Sequence, residues 1–216
     1  MTKTTKARGR SPAPGAKTAR GLATQAALVR GARQVFERDG FIDARIADIT
    51  EAAGTALGSF YTYFQSKEEI FNAVVDALGE EGLNLPSLGY LADPETDVAA
   101  SISAHHRAYL EAYQRNARLM SVVEQVTNVS DSFRRRRTRR AQSTVKAGRD
   151  AIVRLQATGR ADPSLDPVAT VRGLSSMVSR TAYITFVLEE EGPEAIDELV
   201  ATLTRLWVSA LKLGPR

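Results

Sequence analysis

The chain has 216 residues, of which 43% are hydrophobic and 25% charged, enough for one large or two small domains with a substantial core. It has no cysteine and only two histidines, adjacent in sequence, which argues against disulfides, zinc sites and Ser-His-Asp or cysteine nucleophiles. No apolar run is long enough to span a membrane and no secretory leader follows the basic N-terminus, so we expect a cytoplasmic protein. From the scarcity of Cys and His, we also expect a protein that is not an enzyme and needs no metal or cofactor.

Positive charge is concentrated at the N-terminus. Residues 1–66 carry ten Lys or Arg against five Asp or Glu, while residues 67–216 carry nineteen against twenty. This imbalance indicates a polyanionic partner, with nucleic acid first. Residues 1–20 contain almost nothing to bury and are predicted to form a disordered basic arm, with a solubilising tail as the alternative.

The first predicted helices have the spacing of a helix-turn-helix motif. An apolar stripe predicts a helix over 22–39, which Gly40 ends as a C-cap glycine. A shorter helix follows over 45–53, Gly54 breaks it, and a third is predicted over 58–64. Two short helices joined by a glycine-containing turn are typical of proteins whose second helix enters the DNA major groove.

The third helix is predicted to present small and hydroxyl-bearing side chains to solvent. Phe60 and Phe64 lie four residues apart and can anchor it in the core. Ser66 and Glu69 then have the spacing of a capping box, and the helix start carrying Lys67 is a phosphate site. The side chains left facing outward, towards base edges and phosphates, are Ser59, Tyr61, Thr62 and Tyr63.

Several of these segments occur together at fixed spacing: Ala32-Arg-Gln-Val-Phe36, Gly40-Phe41, Ile46-Ala-Asp-Ile49, Ala52-Ala-Gly54, Gly58-Ser-Phe-Tyr-Thr-Tyr-Phe64 and Ser66-Lys-Glu-Glu-Ile70. Through these segments, residues 22–78 resemble the DNA-binding domain of the TetR family of bacterial transcription regulators. The resemblance implies an all-α fold, with a three-helix helix-turn-helix domain over 21–66, a connecting helix over 67–82 and a larger helical domain for ligand binding and dimerisation over 83–216.

The resemblance also implies which positions touch DNA. Base contacts would fall to Leu57, Gly58, Ser59 and Tyr61, and phosphate contacts to Arg45, Thr62, Tyr63 and Lys67. Where the family commonly has Thr-Thr-Val-Arg, this chain has Ala44-Arg-Ile-Ala47. Ala56-Leu57 replaces a common Ser-Lys, so Thr55 is expected to cap the recognition helix and joins the DNA-facing set. Leu57 either touches a thymine methyl group or packs against the protein.

Beyond this region, proline spacing and helical periodicity predict helices and no strands. The predicted helices cover 95–115, 117–130, 131–158, 166–191 and 194–213. The run Ala182–Leu188 is continuously apolar, but it lies inside a longer helical pattern and is therefore interpreted as buried helix.

Candidate ligand-binding residues lie on these helices. His105 and His106 are either ordinary surface or core histidines or a polar wall of a ligand pocket. Glu124 either recognises a polar or cationic ligand group or is simply exposed. The remaining candidates are Tyr109, Tyr113, Met120, Thr127, Met177 and Arg180.

Arg134-Arg-Arg-Arg-Thr-Arg-Arg140 is the most unusual segment of the chain. Seven residues at 100° each surround a helix, so this segment has no wide apolar face. It is interpreted as a solvated helix start, with an anionic effector or a second nucleic-acid surface as alternatives.

The last two predicted helices favour a homodimer. Helix 166–191 carries two apolar stripes and helix 194–213 carries one that includes Leu203, Leu206 and Trp207, more than a lone hairpin covers. Pairing with the same helices of a second copy would give a four-helix interface and inverted-repeat DNA half-sites.

These features predict a transcription regulator, most simply a repressor released from double-stranded operator DNA by a small-molecule effector. The alternatives are an all-helical carrier or enzyme and a ligand-independent architectural DNA binder. The sequence does not identify the effector, the operator, the regulated genes or the sign of regulation.

Overall fold

The computed structural model describes residues 18–83 and 97–213, and every regular element within them is helical, which confirms the all-α prediction. The helices are α1 (Ala19–Asp43), α2 (Ile46–Ala52), α3 (Leu57–Tyr63), α4 (Lys67–Leu78), α5 (Val98–Arg115), α6 (Ala117–Val129), α7 (Asp131–Ala157), α8 (Pro167–Tyr183) and α9 (Ile196–Leu211). Wider π-helical turns, Gly79–Leu83 and Ile184–Leu188, extend α4 and α8, and a 3-10 turn, Pro193–Ala195, precedes α9.

The start of α1 corrects one predicted boundary. The Thr18 side chain accepts a hydrogen bond from the Gly21 backbone N–H at 3.1 Å, so the helix starts at Ala19 and not at residue 22. Residues 18–20 of the arm predicted for residues 1–20 are therefore helix cap and first turn, and the rest of that arm, residues 1–17, lies outside the described residues. Gly40, predicted to end this helix, has a φ of 73° and a ψ of −176°, so the helical path breaks there, but a short helical turn continues to Asp43.

Aromatic side chains hold the N-terminal helices together. Phe36 of α1 meets Phe71 of α4 edge to face, with ring centroids 5.0 Å apart, and both are fully buried. Gly31 allows α1 to lie directly on α2, because a Cβ there would come within 2.8 Å of the Ile49 carbonyl oxygen and the Ala53 nitrogen. Phe133 of α7 and the apolar face of α6 complete this core.

A second core joins α5, α7, α8 and α9. Leu83 and Met120 pack against both cores, so the two regions form a continuous interior. The apolar run at 182–188 is helical as predicted. Among the described residues, no helix combines the length and apolar character needed to cross a bilayer.

The apolar stripe of α9 is covered within the chain, which changes the interpretation of the dimer pattern. Leu203 and Trp207 are 3% and 1% exposed because α5 packs along α9. Leu206, in contrast, is 46% exposed, and Leu188 at the end of the α8 extension is also exposed. The surface left for a second copy is therefore narrower than the sequence pattern predicted.

Candidate DNA-binding surface and ligand cavity

The turn between α2 and α3 has the geometry of a helix-turn-helix. Gly54 adopts a φ of 62°, which reverses the chain after α2 without steric strain. The Thr55 backbone N–H donates to the Thr50 carbonyl at 2.9 Å and closes the turn. Phe60 and Phe64 are buried, as predicted, and fix α3 against the domain core.

The outer face of α3 is open to solvent. Leu57 and Tyr61 are 52% and 53% exposed, and Gly58 and Thr62 are exposed beside them. Leu57 therefore does not pack into the protein, which leaves it available for an apolar base contact. Ser59 is half-buried on the same helix.

The predicted Thr55 cap is wrong. Ala56 occupies the N-cap position of α3, and no side chain accepts a hydrogen bond there. The Thr55 hydroxyl instead faces the Thr50 carbonyl oxygen at 3.5 Å. Thr55 lies one residue too early in the turn to reach the first amides of α3, so its hydroxyl faces the end of α2.

The start of α4 confirms Ser66 as its cap, but Glu69 reaches Gln65 instead of Ser66, and Lys67 lies differently from the prediction. The Ser66 hydroxyl accepts from the Glu69 backbone N–H at 3.1 Å, and the Glu69 carboxylate accepts from the Gln65 N–H at 2.6 Å. Lys67 donates to the carbonyl oxygens of Ile42 and Ala44, at 2.9 Å each. Its ammonium is thus committed to the end of α1 and to the residue after Asp43, and the predicted phosphate contact would have to use its remaining N–H.

Two other predicted phosphate ligands also have contacts within the protein. Arg45 is exposed and forms a two-pronged ion pair with Asp48, at 2.9 and 3.0 Å. Tyr63 is half-buried, and its hydroxyl lies close to the first turn of α1, 3.5 Å from a Cβ built on Gly21. Both side chains lie on the same domain as the open face of α3.

The profile of the family "Bacterial regulatory proteins, tetR family" matches residues 28–74. This region is a TetR-family helix-turn-helix domain. EthR, an HTH-type transcriptional regulator of Mycolicibacterium smegmatis, is 24% identical over 190 residues, which cover 87% of this chain and 85% of EthR.

Solved structures extend the similarity beyond the TetR-family domain at the level of the fold. SmeT, solved as a complex with triclosan, has a TM-score of 0.71 and 16% identity, over 87% of this chain and 91% of SmeT. NalD of Pseudomonas aeruginosa, the secondary repressor of the MexAB-OprM multidrug efflux pump, has a TM-score of 0.64 and 20% identity, over 85% and 96% of the two chains. The arrangement of α5 to α9 is therefore also found in these regulators.

A cavity of about 170 Å³ lies directly behind the TetR-family domain, between α4, α6 and α7, with one residue each from α5 and α8. Its apolar wall comprises Val75, Leu78, Leu83, Met120, Val123 and Phe133. The polar side chains that line it are Asn72, Asp76, Tyr109, Arg136, Arg137, Arg140, Thr144 and Ser179. Apolar walls with a few converging polar groups are the usual composition of a ligand site.

Four arginines of the run Arg134–Arg140 form ion pairs with carboxylates of the protein itself, so the run is neither simply solvated nor free for an outside anion. Arg136 and Arg140 reach across to Asp76 of α4, at 2.6 and 2.9 Å. Arg137 donates to the carboxylate of Glu124 at 2.5 Å and to the hydroxyl of Thr127 at 2.8 Å, both on α6. Arg134 pairs with Asp131 on its own helix. The run thus ties α7 to two neighbouring helices.

Arg137, like Arg140, is only partly exposed. Burial acts to lower its pKa, but the hydrogen bond and the charge of Glu124 outweigh that effect, and the pKa is raised overall. Burial also raises the pKa of Tyr109 and Tyr113, whose phenol groups therefore stay neutral at physiological pH. Glu124 thus serves as the partner of a protein guanidinium, a role neither predicted alternative included.

The candidate ligand residues separate into two groups. Tyr109 and Met120 line the cavity, Glu124 and Thr127 hold Arg137 beside it, and Tyr113 packs against Tyr109. The other four lie outside its lining: His105 next to the Ser101 carbonyl, His106 under Trp207, Met177 against the C-terminal core, and Arg180 over the ring of Tyr183. Among the described residues, no group of three metal-ligating side chains comes together.

Sequence reasoning missed four other polar residues of the cavity, Asn72, Asp76, Thr144 and Ser179. Asn72 and Asp76 belong to α4, which was interpreted only as a connecting helix. No local sequence pattern indicates these four residues, because their place in the cavity depends on how α4, α7 and α8 pack.

Arg33 of α1 connects the TetR-family domain to the rest of the protein. Its guanidinium donates to Glu37 at 2.9 Å, to Glu81 after α4 at 2.7 Å, and to the side-chain oxygen of Asn116 between α5 and α6. Asn116 is buried and also donates to the Ala112 carbonyl at 2.7 Å. A shift of α4 or of the α5–α6 junction must therefore disturb α1.

Proposed function

We propose that the protein is a sequence-specific DNA-binding transcription regulator, in the simplest case a repressor that a small molecule releases from its operator. The observation that carries this is the open face of α3, from Leu57 to Thr62, on a helix anchored by Phe60 and Phe64. A protein of this kind would act in the bacterial cytoplasm, at the nucleoid when bound to DNA. The names of NalD, a repressor, and of the SmeT–triclosan complex are in line with repression and with a small-molecule ligand.

Coupling between the two activities would run through α4. Three residues separate the end of α3 from the start of this helix, and Lys67 at its first position is bonded to the carbonyls of Ile42 and Ala44. Its other end borders the cavity through Val75, Asp76 and Leu78. A ligand that favours one position of α4 would therefore favour one position of the recognition helix.

The functional unit would be a homodimer that reads an inverted repeat. Exposed side chains of α8 and α9, among them Leu206, would form the contact with the same helices of a second copy. Two recognition helices related by a twofold axis then fit half-sites about one helical turn apart, or a multiple of that.

The test begins with selection of bound fragments from genomic DNA by the full-length protein, followed by affinity measurements on the selected site. Tyr61→Ala should weaken specific binding about tenfold or more, because a base contact contributes about 1–3 kcal/mol of discrimination. Val153→Ala, which shortens an exposed side chain of α7 far along the sequence, is the matched control and should bind like the wild type. Unchanged affinity and unchanged sequence preference of Tyr61→Ala would show that α3 is not the reading helix.

A further inference from the structure

We infer that the cavity takes a small amphiphilic carboxylate whose charged group replaces Asp76 on Arg136 and Arg140, and whose apolar part enters the space between α4, α6 and α7. The inference rests on the proposed function for its regulatory consequence, but the binding step stands on the geometry of the cavity alone.

The two guanidinium groups are already arranged around one carboxylate. Arg136 donates to one oxygen of Asp76 at 2.6 Å, and Arg140 donates to the other oxygen at 2.9 Å. Each carboxylate oxygen thus accepts a charge-assisted hydrogen bond from its own arginine, and such bonds are about twice as strong as those between neutral groups. Because the site is built for this group, a ligand carboxylate can use it without any rearrangement of the arginines.

The charge balance of the cavity favours an anion over a cation. Its lining residues include three arginines and one aspartate. Glu124 neutralises Arg137 from outside the lining, and Arg136 and Arg140 both pair with Asp76, the acidic residue of the lining. A cationic ligand would have to approach these arginines, whereas an anion is attracted by them.

Asp76 is the component that can leave. Its side chain is 49% exposed, so its carboxylate can be hydrated when it turns away from the arginines. Its ion pairs with Arg136 and Arg140 join α4 to α7. A ligand that takes those two partners removes this link and loosens α4 from α7.

The size of the apolar space limits the ligand. About 170 Å³ is close to the cavity of about 150 Å³ that accommodates one benzene ring in a protein interior. The ligand class is therefore a monocarboxylate with a single ring or a short alkyl chain. A long acyl chain would need the cavity to widen.

The binding test compares a carboxylate with its neutral counterpart of the same shape, without DNA. Titration calorimetry of the full-length protein with 4-ethylbenzoate and hexanoate, against 4-ethylbenzamide and hexanamide, should show binding of the acids at least about tenfold tighter than of the amides. Amides that bind as tightly as the acids would overturn the proposed carboxylate site.

Variants then test the exchange with Asp76. Asp76→Asn should bind the acids about tenfold tighter, because the internal competitor is gone, and Arg136→Gln should bind them about tenfold weaker. Arg139→Gln is the matched control, since Arg139 belongs to the same run but is exposed and outside the cavity lining. Asp76→Asn that binds no acid at millimolar concentration, or binds it no better than the wild type, would overturn the inference. Thermal unfolding of each variant verifies that it is folded.

The regulatory consequence is tested separately with the selected DNA. Asp76→Asn should bind that DNA more weakly than the wild type even without ligand, because α4 has lost its attachment to α7, whereas Arg139→Gln should not. Failure to bind any DNA would refute the proposed function but leave the calorimetric result valid. Acid binding that leaves DNA affinity unchanged would refute the link through Asp76.

Discussion

His106 should make the stability of the protein depend on pH below neutrality. The ring lies on α5 and is only 1% exposed, with its Nδ1 3.1 Å from the Thr204 hydroxyl. It meets the ring of Trp207 edge to face, with centroids 5.1 Å apart. Burial, with a smaller contribution from the neighbouring His105, lowers the pKa of His106 to about 4. The folded protein therefore holds this imidazole neutral where an unfolded chain would protonate it.

The magnitude follows from the two pKa values. A histidine in the unfolded chain titrates near 6.5, so between pH 6.5 and about 4 the unfolded state binds the extra proton. The free energy of unfolding therefore decreases as the pH is lowered through this range. At about 1.36 kcal/mol per unit, the free energy of unfolding should drop by about 2 kcal/mol between pH 7.5 and pH 5. Below pH 4 both states are protonated and the contribution reaches its limit of about 3 kcal/mol.

Urea denaturation across this pH range, at constant protein and salt concentration, measures the effect. His106→Asn, which retains a polar atom for Thr204 but cannot be protonated, should lose about 2 kcal/mol of the pH-dependent change, whatever its stability at pH 7.5. The adjacent residue supplies the control, because His105 is only half-buried and His105→Asn should retain most of the slope. An equal slope in wild type and His106→Asn would refute the assignment of the buried neutral imidazole.

Three further predictions concern the interfaces of the protein. Leu206→Glu should shift the dimer towards folded monomer in light scattering, whereas Leu203→Glu should unfold the chain, because only Leu203 is buried within it. Arg137→Met should lower the free energy of unfolding by about 2 kcal/mol, because it leaves the half-buried Glu124 unpaired. This value lies between those of exposed and buried ion pairs. Recovery of stability in the double variant with Glu124→Gln would confirm the cause. Gly31→Ala should lower the melting temperature and abolish DNA binding, because the new Cβ would lie 2.8 Å from the α2 backbone. Normal DNA affinity of this variant would contradict the close packing of α1 on α2.

Much of the fold could be predicted from local sequence signals. The 3.6-residue spacing of apolar side chains and the positions of proline gave the helices of the described residues to within a few residues at most ends. Gly40, Gly54 and the Ser66–Glu69 pair are signals of the same kind, since each acts through its own backbone or that of its neighbours. The first turn of α1 was missed because its polar sequence gives no periodic pattern and only Thr18 caps it.

The outward face of α3 was also determined by the sequence. With Phe60 and Phe64 in the core, helical geometry leaves Tyr61 and Thr62 on the opposite side, whatever the rest of the chain does. The same reasoning failed for Lys67, because the carbonyls it binds lie at the end of α1 and just after it, more than twenty residues earlier.

Only the tertiary structure decided what the buried and charged side chains of the larger domain contact. The periodicity of α9 showed that Leu203 and Trp207 are buried, but not that α5 of the same chain covers them instead of a second copy. The arginine run could be seen in the sequence, yet Asp76 lies 60 residues before Arg136. Helical periodicity fixes the direction of a side chain relative to its own helix, whereas its partner depends on how distant helices pack, and no local pattern in the sequence records that.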